Sequence, residues 1–198
     1  MPKLPFAERL QQPLPLVADG AMGTQIHRAG QPIHACFEAI NLLDPALIAR
    51  IHREYLDAGA DIIETNTFGA NRYKLAEHGY AGKVAEVNAA GVEIVRRAIA
   101  ASGREDVYIV GSVGPLGQTM RPYGKLTRED VHEAFTEQIT ALIDAGVDGI
   151  LFETFADHAQ LLEALAAARA VSPTIPVICQ ATFASDDRTM LGFPPSKV

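Results

Sequence analysis

Two stretches of this chain are near copies of each other, and the copying restricts the folds open to it. "DAGADIIETNTF" begins at Asp57 and "DAGVDGILFETF" at Asp144, and the two align without a gap at an offset of 87 residues. Each copy begins where a pattern of apolar residues at i, i+3, i+4 and i+7 ends, then runs through Asp-Ala-Gly into a short apolar stretch. Gly59 and Gly146 read as helix stops, and the runs after them as strands. The alternation extends along the whole chain. Apolar runs fall at 16–18, 61–65, 107–112, 149–152 and 177–183, with the helical patterns "DPALIARIHREYLDAG", "KVAEVNAAGVEIVRRAIAASG", "REDVHEAFTEQITALIDAG" and "DHAQLLEALAAARAVS" between them. Such alternation predicts an α/β fold with a parallel sheet. A doubly wound sheet need not repeat internally, whereas a (β/α)8 TIM barrel is built from near-equivalent units, so the echo points to an incomplete barrel of about five βα units.

The echo sets Asn66 against Glu153, Thr67 against Thr154 and Phe68 against Phe155. Polar residues therefore recur where the strands run out, which in a barrel is the catalytic mouth. At the first run, "LVADGAMGTQIHRAG" ends its apolar residues on Asp19 and Gly20. Asp-Gly suits a tight turn, or a pocket floor where a carboxylate and bare backbone amides face a ligand. Glu153, directly after "GILF", needs either a buried ion pair or a ligand. Thr65, Asn66 and Thr67 suit strand capping or binding, and Phe68 and Phe155 suit packing. "GSVGPLG" reads as a turn or as a pocket wall that a ligand can approach closely. His52, His132 and His158 fall on helical patterns among charged residues and read as solvated, so no histidine is assigned to catalysis. Cys36 reads as a loop residue, and Cys179 as a small buried hydrophobe in a strand.

Composition narrows the function. The 198 residues are 48% hydrophobic and 21% charged, with a formal net charge of −7. No basic stripe offsets the acidic excess, which argues against nucleic acid and anionic membrane as partners. Residues 1–15 read as a lead-in without the apolar core of a signal peptide, and no apolar run approaches the ~18 residues of a membrane span. Two cysteines give no disulfide framework, so a cytoplasmic location is expected.

Four motifs in order, "ADGAMGT", "GADIIETNTFGANRYKL", "GSVGPLG" and "GVDGILFET", resemble the homocysteine S-methyltransferase family, the zinc-dependent barrels of methionine synthase and betaine-homocysteine methyltransferase. The likeness runs from Val17 to Pro195. "CFEAIN" and "LDAGADIIETNTFGANRYKLAEHG" look most like the methyltransferase half of bacterial bifunctional proteins that also carry a methylenetetrahydrofolate reductase domain. The resemblance implies transfer of a methyl group to the thiol of homocysteine, giving methionine. It assigns Asp19 and Glu153 to the substrate ammonium group, the backbone amides of Gly20, Ala21 and Met22 to its carboxylate, and a hydroxyl donor to Thr65. Asn66 and Phe68 belong to the same mouth.

Zinc is expected for the complete family domain, on three cysteines in Gly-x-Asn-Cys-like and Gly-Gly-Cys-Cys-Gly-like contexts. Neither context occurs up to Val198. Residues 16–198 are therefore expected to be the N-terminal part of a methyltransferase domain, with no catalytic residue or metal ligand in the segment, no tight metal binding, and little or no activity alone. Open barrel edges lead to an expectation of self-association. Two alternatives stay open: a zinc-independent lyase or aldolase using Asp19 and Glu153 as acid and base, and a non-catalytic fragment that works by association with another chain. The methyl donor (folate, cobalamin, betaine or S-methylmethionine) is not distinguished.

Overall fold

The expected parallel sheet is present, and its strand order follows the chain. A computed structural model describes residues 3–198, so the first two residues of the lead-in lie outside the described residues. Strands β1 (Ile62–Glu64), β2 (Tyr108–Val113), β3 (Gly149–Phe155) and β4 (Val177–Ala181) pair in the order β1-β2-β3-β4, all parallel. The helices are α1 (Phe6–Arg9), α2 (Met22–Arg28), α3 (Ile40–Leu43), α4 (Pro45–Asp57), α5 (Arg72–Glu77), α6 (Val84–Ser102), α7 (Arg128–Asp144) and α8 (His158–Val171).

Local signals set the helix ends. Asp44 accepts the Leu47 N–H at 3.1 Å with Pro45 following, and Thr127 and Asp130 form a reciprocal capping box at the start of α7. Gly59 and Gly146 take φ of +98° and +88° after α4 and α7, the left-handed step that ends a helix at low cost only with glycine.

The period of two along each strand divides the sheet into two faces. Ile63, Ile109, Val113, Ile150 and Phe152 face the helices and join the main core with Val95, Phe135, Ile139 and Leu142. Ile62, Tyr108, Val110 and Leu151 face the other way, into a smaller cluster completed by Phe6 from the lead-in. Gly149 makes room for that plug, since a Cβ there would lie 2.8 Å from the Phe6 ring. The lead-in is thus part of the fold: Phe6 stacks on Tyr108 with ring centroids 4.8 Å apart, sealing the end of the sheet opposite the polar residues.

Three expectations are corrected. The run at 16–18 is not a full strand, so among the described residues four strands stand where five were expected. It contributes a one-residue bridge, Ala18 to Ile62, supported by Asp19 N–H donating to the Ile62 carbonyl at 3.0 Å. Pro13 and Pro15 remove donors just before it, and α2 begins at Met22 just after, leaving too few residues for a ladder. Cys179 is exposed rather than buried, because β4 is the edge strand of the sheet, with no further strand beside it among the described residues. His52 is fully buried rather than solvated. It follows Ile48 by four residues and precedes Leu56 by four, so it lies on the stripe of α4 that packs against α6.

Burial without a partner makes His52 an acid-sensitive point. Neither ring nitrogen has a hydrogen-bond partner among the described residues, and burial pushes its pKa from 6.5 down to about 3. The folded chain holds the ring neutral while the unfolded chain takes up a proton below 6.5, so this contribution to stability is lost as pH falls from 6.5 toward 3. The loss amounts to about 1.4 kcal/mol per pH unit within that window. Urea denaturation of the wild type and His52→Leu at a series of pH values should show the two curves diverging below pH 6.5, the variant being the less acid-sensitive.

Candidate functional site

The inner face of the sheet changes character along its length. It is apolar at Ile62, Tyr108, Val110 and Leu151, and two residues further along each strand it presents Glu64, Ser112 and Glu153. The same parity that sends the apolar side chains inward sends these three inward at the C-terminal ends of β1, β2 and β3. Asp19 reaches the same place from the bridge beside β1, where both of its carboxylate oxygens accept the Glu64 N–H at 3.2 Å.

A cavity of about 490 Å³ opens above these groups. Asp19, Gly20, Ala21, Met22, Thr65, Asn66, Phe68 and Glu153, the residues assigned to the site from sequence, all line it. Gly23, Phe37, Glu38, Glu64, Ser112 and Thr154 complete the lining and were not assigned. Glu64 and Ser112 were readable from strand parity, by counting two residues on from Ile62 and from Val110. The gapless echo misleads here: it pairs Asn66 with Glu153, whereas the carboxyl group that β1 contributes to the cavity of Glu153 is that of Glu64.

Carboxyl groups dominate the electrostatics. Burial, with further contributions from the Glu153 and Asp19 charges, pushes the Glu64 pKa up to about 8. Asp19 is pushed up to about 7, again chiefly by burial, although the Glu64 N–H opposes the rise. Glu153 accepts the Ser112 hydroxyl at 2.5 Å on one oxygen. Thr154 follows with φ of +63°, a left-handed conformation that is strained for a β-branched residue, at the point where the pairing of β3 with β4 shifts register.

Thr65 and Asn66 line the cavity with the Thr65 hydroxyl and the Asn66 side-chain N–H groups already engaged. The Thr67 hydroxyl donates to the Ser112 carbonyl at 2.7 Å, so in the 2.5 Å contact between Thr65 and Thr67 the donor is Thr65. Its oxygen meanwhile accepts the Ser112 N–H at 3.2 Å. The Asn66 amide donates to the Phe37 carbonyl and to Asn41, and Asn41 returns a bond to the Asn66 carbonyl. Asn88 and Gln138 bind the Ala70 and Thr67 carbonyls from beneath. These buried amides fix the loop after β1 in one conformation.

Phe68 forms an apolar wall. Its ring lies so close to Gly114 that a Cβ there would come within 2.4 Å of it, and the Lys74 ammonium sits 4.4 Å from the ring centroid. Tyr55 packs against Gly20 and donates its hydroxyl to the Ala21 carbonyl at 3.1 Å, holding the backbone of 20–22 along the rim.

Comparison with known proteins decides the family. Residues 16–198 match the family model described as homocysteine S-methyltransferase. The chain belongs to the homocysteine S-methyltransferase family. Methionine synthase of Mycobacterium tuberculosis is 35% identical over 89% of this chain, and the Mycobacterium leprae enzyme is likewise 35% identical over 89%. The aligned region is 16% of each synthase, so this chain spans about a sixth of those relatives' length. Among solved structures, the oxidized form of the homocysteine methyltransferase MmuM from Escherichia coli superposes with a TM-score of 0.81 at 25% identity, covering 97% of this chain and 70% of MmuM. The metallated form gives 0.79 at 25% identity over 95% of this chain and 69% of MmuM. The four strands and their helices are thus an arc of the barrel that the sequence echo predicted.

The zinc that the family resemblance implies does not fit the donors among the described residues of this chain. Among the described residues, no three His, Cys, Asp or Glu side chains are grouped as a metal would require. The Cys36 thiol is pushed up to about 11, mainly by burial, and approaches Glu38 at 3.7 Å. Cys179 stands apart from it on exposed β4.

Proposed function

We propose that the cavity is the homocysteine-binding site of an enzyme that methylates homocysteine to methionine. The observation that carries this reading is the convergence of Asp19 and Glu153 from separate elements on one cavity whose rim is the backbone of Gly20, Ala21 and Met22. A free amino acid presents an ammonium and a carboxylate group on one carbon, and a pair of carboxylates beside uncovered backbone amides complements both. In this reading Asp19 and Glu153 hold the ammonium group. The carboxylate is left to the backbone of 20–22, because the Thr65 proton is directed at Thr67. Phe68, Phe37 and Met22 provide the apolar surface along which the side chain of the substrate extends.

Family membership, together with methionine synthase and MmuM as relatives, supports homocysteine and a methyl donor as the substrates. No lysine is among the described residues that line the cavity, which disfavours the aldolase alternative, since a Schiff-base mechanism needs one. A cytoplasmic location is consistent with two free cysteines; no helix among the described residues is long and apolar enough to cross a membrane.

Glu153→Gln should weaken homocysteine binding by about 1–3 kcal/mol, the range for losing a charge-assisted hydrogen bond, and leave the fold unchanged. Calorimetric titration reads the affinity; equal affinity in wild type and variant would make Glu153 structural and overturn the assignment. A second expectation concerns the metal. The chain dialysed against a mild chelator should retain well under one zinc per molecule by elemental analysis, and should show no methyl transfer to homocysteine. A third concerns assembly. β4 leaves its outer edge unpaired and the bridge at Ala18 carries a Val17 that is 58% exposed, so the chain should self-associate at high concentration in light scattering.

A further inference from the structure

Glu64 lies outside the head-group assignment above, yet it sits at the centre of the cavity's charged groups. We propose that Glu64 is a third carboxyl group of the head-group receptor, holding a proton that an arriving ammonium group displaces, so that ligand binding releases a proton to solvent. The inference rests on the homocysteine reading of this cavity and adds a chemical event to it.

The geometry limits what can balance the charge there. Glu64 faces inward at the end of β1, joined to Asp19 through its own N–H, and lines the same cavity as Glu153 at the end of β3. From β2, Ser112 gives its only hydroxyl proton to Glu153. From α4, Tyr55 gives its hydroxyl proton to the Ala21 carbonyl, and His52 is buried and neutral in the helix layer. Glu38, the other acidic residue of the lining, accepts the Gly69 N–H at 2.7 Å. The described residues of the cavity lining include no lysine, arginine or histidine; Lys74 lies over the Phe68 ring and lines an adjoining cavity that shares Phe37 and Glu38 with this one, and there the Glu38 carboxylate is an acidic group its charge faces.

Three partly buried carboxyl groups that line one cavity, with no cationic side chain among its described lining residues, disfavour full ionisation of all three at neutral pH. Glu153 accepts the Ser112 hydroxyl and Asp19 a backbone N–H, whereas no donor reaches the Glu64 carboxyl group among the described residues, so Glu64 is the member left to hold the proton. An ammonium ligand removes that need: Glu64–COOH and R–NH3+ become an ion pair, and one proton passes to water. A neutral or anionic head group offers no such compensation, so Glu64 adds selectivity for cationic head groups.

Calorimetry with methionine tests this, because methionine carries the same head group and its thioether has no proton to lose. Titrations at pH 7.5 in buffers of different ionisation enthalpy should report release of about one proton per bound ligand, and affinity should rise about tenfold per pH unit below the pKa of the group. Glu64→Gln, of the same size and shape, should bind methionine at pH 7.5 with much less proton release than the wild type and without the steep rise in affinity between pH 7 and 8. Binding to the wild-type chain without proton release would overturn the role of Glu64 and leave the homocysteine reading standing. No methionine or homocysteine binding at any pH would overturn both. Undiminished proton release in a folded Glu64→Gln would assign the proton to Asp19 and overturn the proposal.

Discussion

Uncompensated carboxyl groups at the C-terminal end of the sheet are the constraint on which the rest of this structure depends. Taking Asp19, Glu64 and Glu153 partly out of water is unfavourable by itself, and the surrounding chain is arranged to hold them there. Ser112 and the Glu64 N–H supply donors, while the strained φ at Thr154 and the adjoining register shift set the backbone directly after Glu153. Strain and desolvation in a folded domain are tolerated where the remaining packing is strong. Here the helix-facing core of Ile63, Val95, Phe135, Ile150 and Phe152 provides it.

Beneath the charged groups a second layer separates shape from chemistry. Asn41, Asn66, Asn88 and Gln138 bind the carbonyls of the loop after β1, and Thr65 and Thr67 tie that loop to β2. These polar side chains are buried and mostly satisfied, so they specify one loop conformation while leaving little free for a ligand. The cavity thus has a rigid amide scaffold, a charged floor and an aromatic wall, each from a different stretch of sequence.

Much of the fold was legible because helix period, capping residues and left-handed glycines agreed with one another. α4, α6, α7 and α8 fall where the apolar spacing places them, and Gly59 and Gly146 end helices as their Asp-Ala-Gly contexts indicate. The run at 16–18 misled because apolar content alone does not show whether a segment has room for a ladder between prolines and a helix start. His52 misled because its charged neighbours Arg50, Arg53 and Glu54 suggested solvent, while its spacing from Ile48 and Leu56 marked the buried stripe. At the site, Asp19 and Glu153 were readable as carboxylates at strand ends. Glu64 was missed because the repeat was aligned as text, without following which side chains alternate to the inner face. Asn66 and Thr65 reached the cavity lining, but their hydrogen bonds depend on partners at Asn41, Phe37 and Ser112, which sequence spacing does not bring together.

The plug formed by Phe6 bears on the order in which the structure can assemble. The ring rests on Tyr108 and over Gly149, and the Tyr108 hydroxyl donates to the Leu4 carbonyl across a separation of 104 residues. None of those partners exists as a surface until β2 and β3 have paired, so the first residues of the chain must wait for the middle before they can dock. Until then the lower inner face, Ile62, Val110 and Leu151, is open to water. The N-terminal segment therefore acts as a late-closing stopper, turning a sheet exposed at one end into a vessel with a floor.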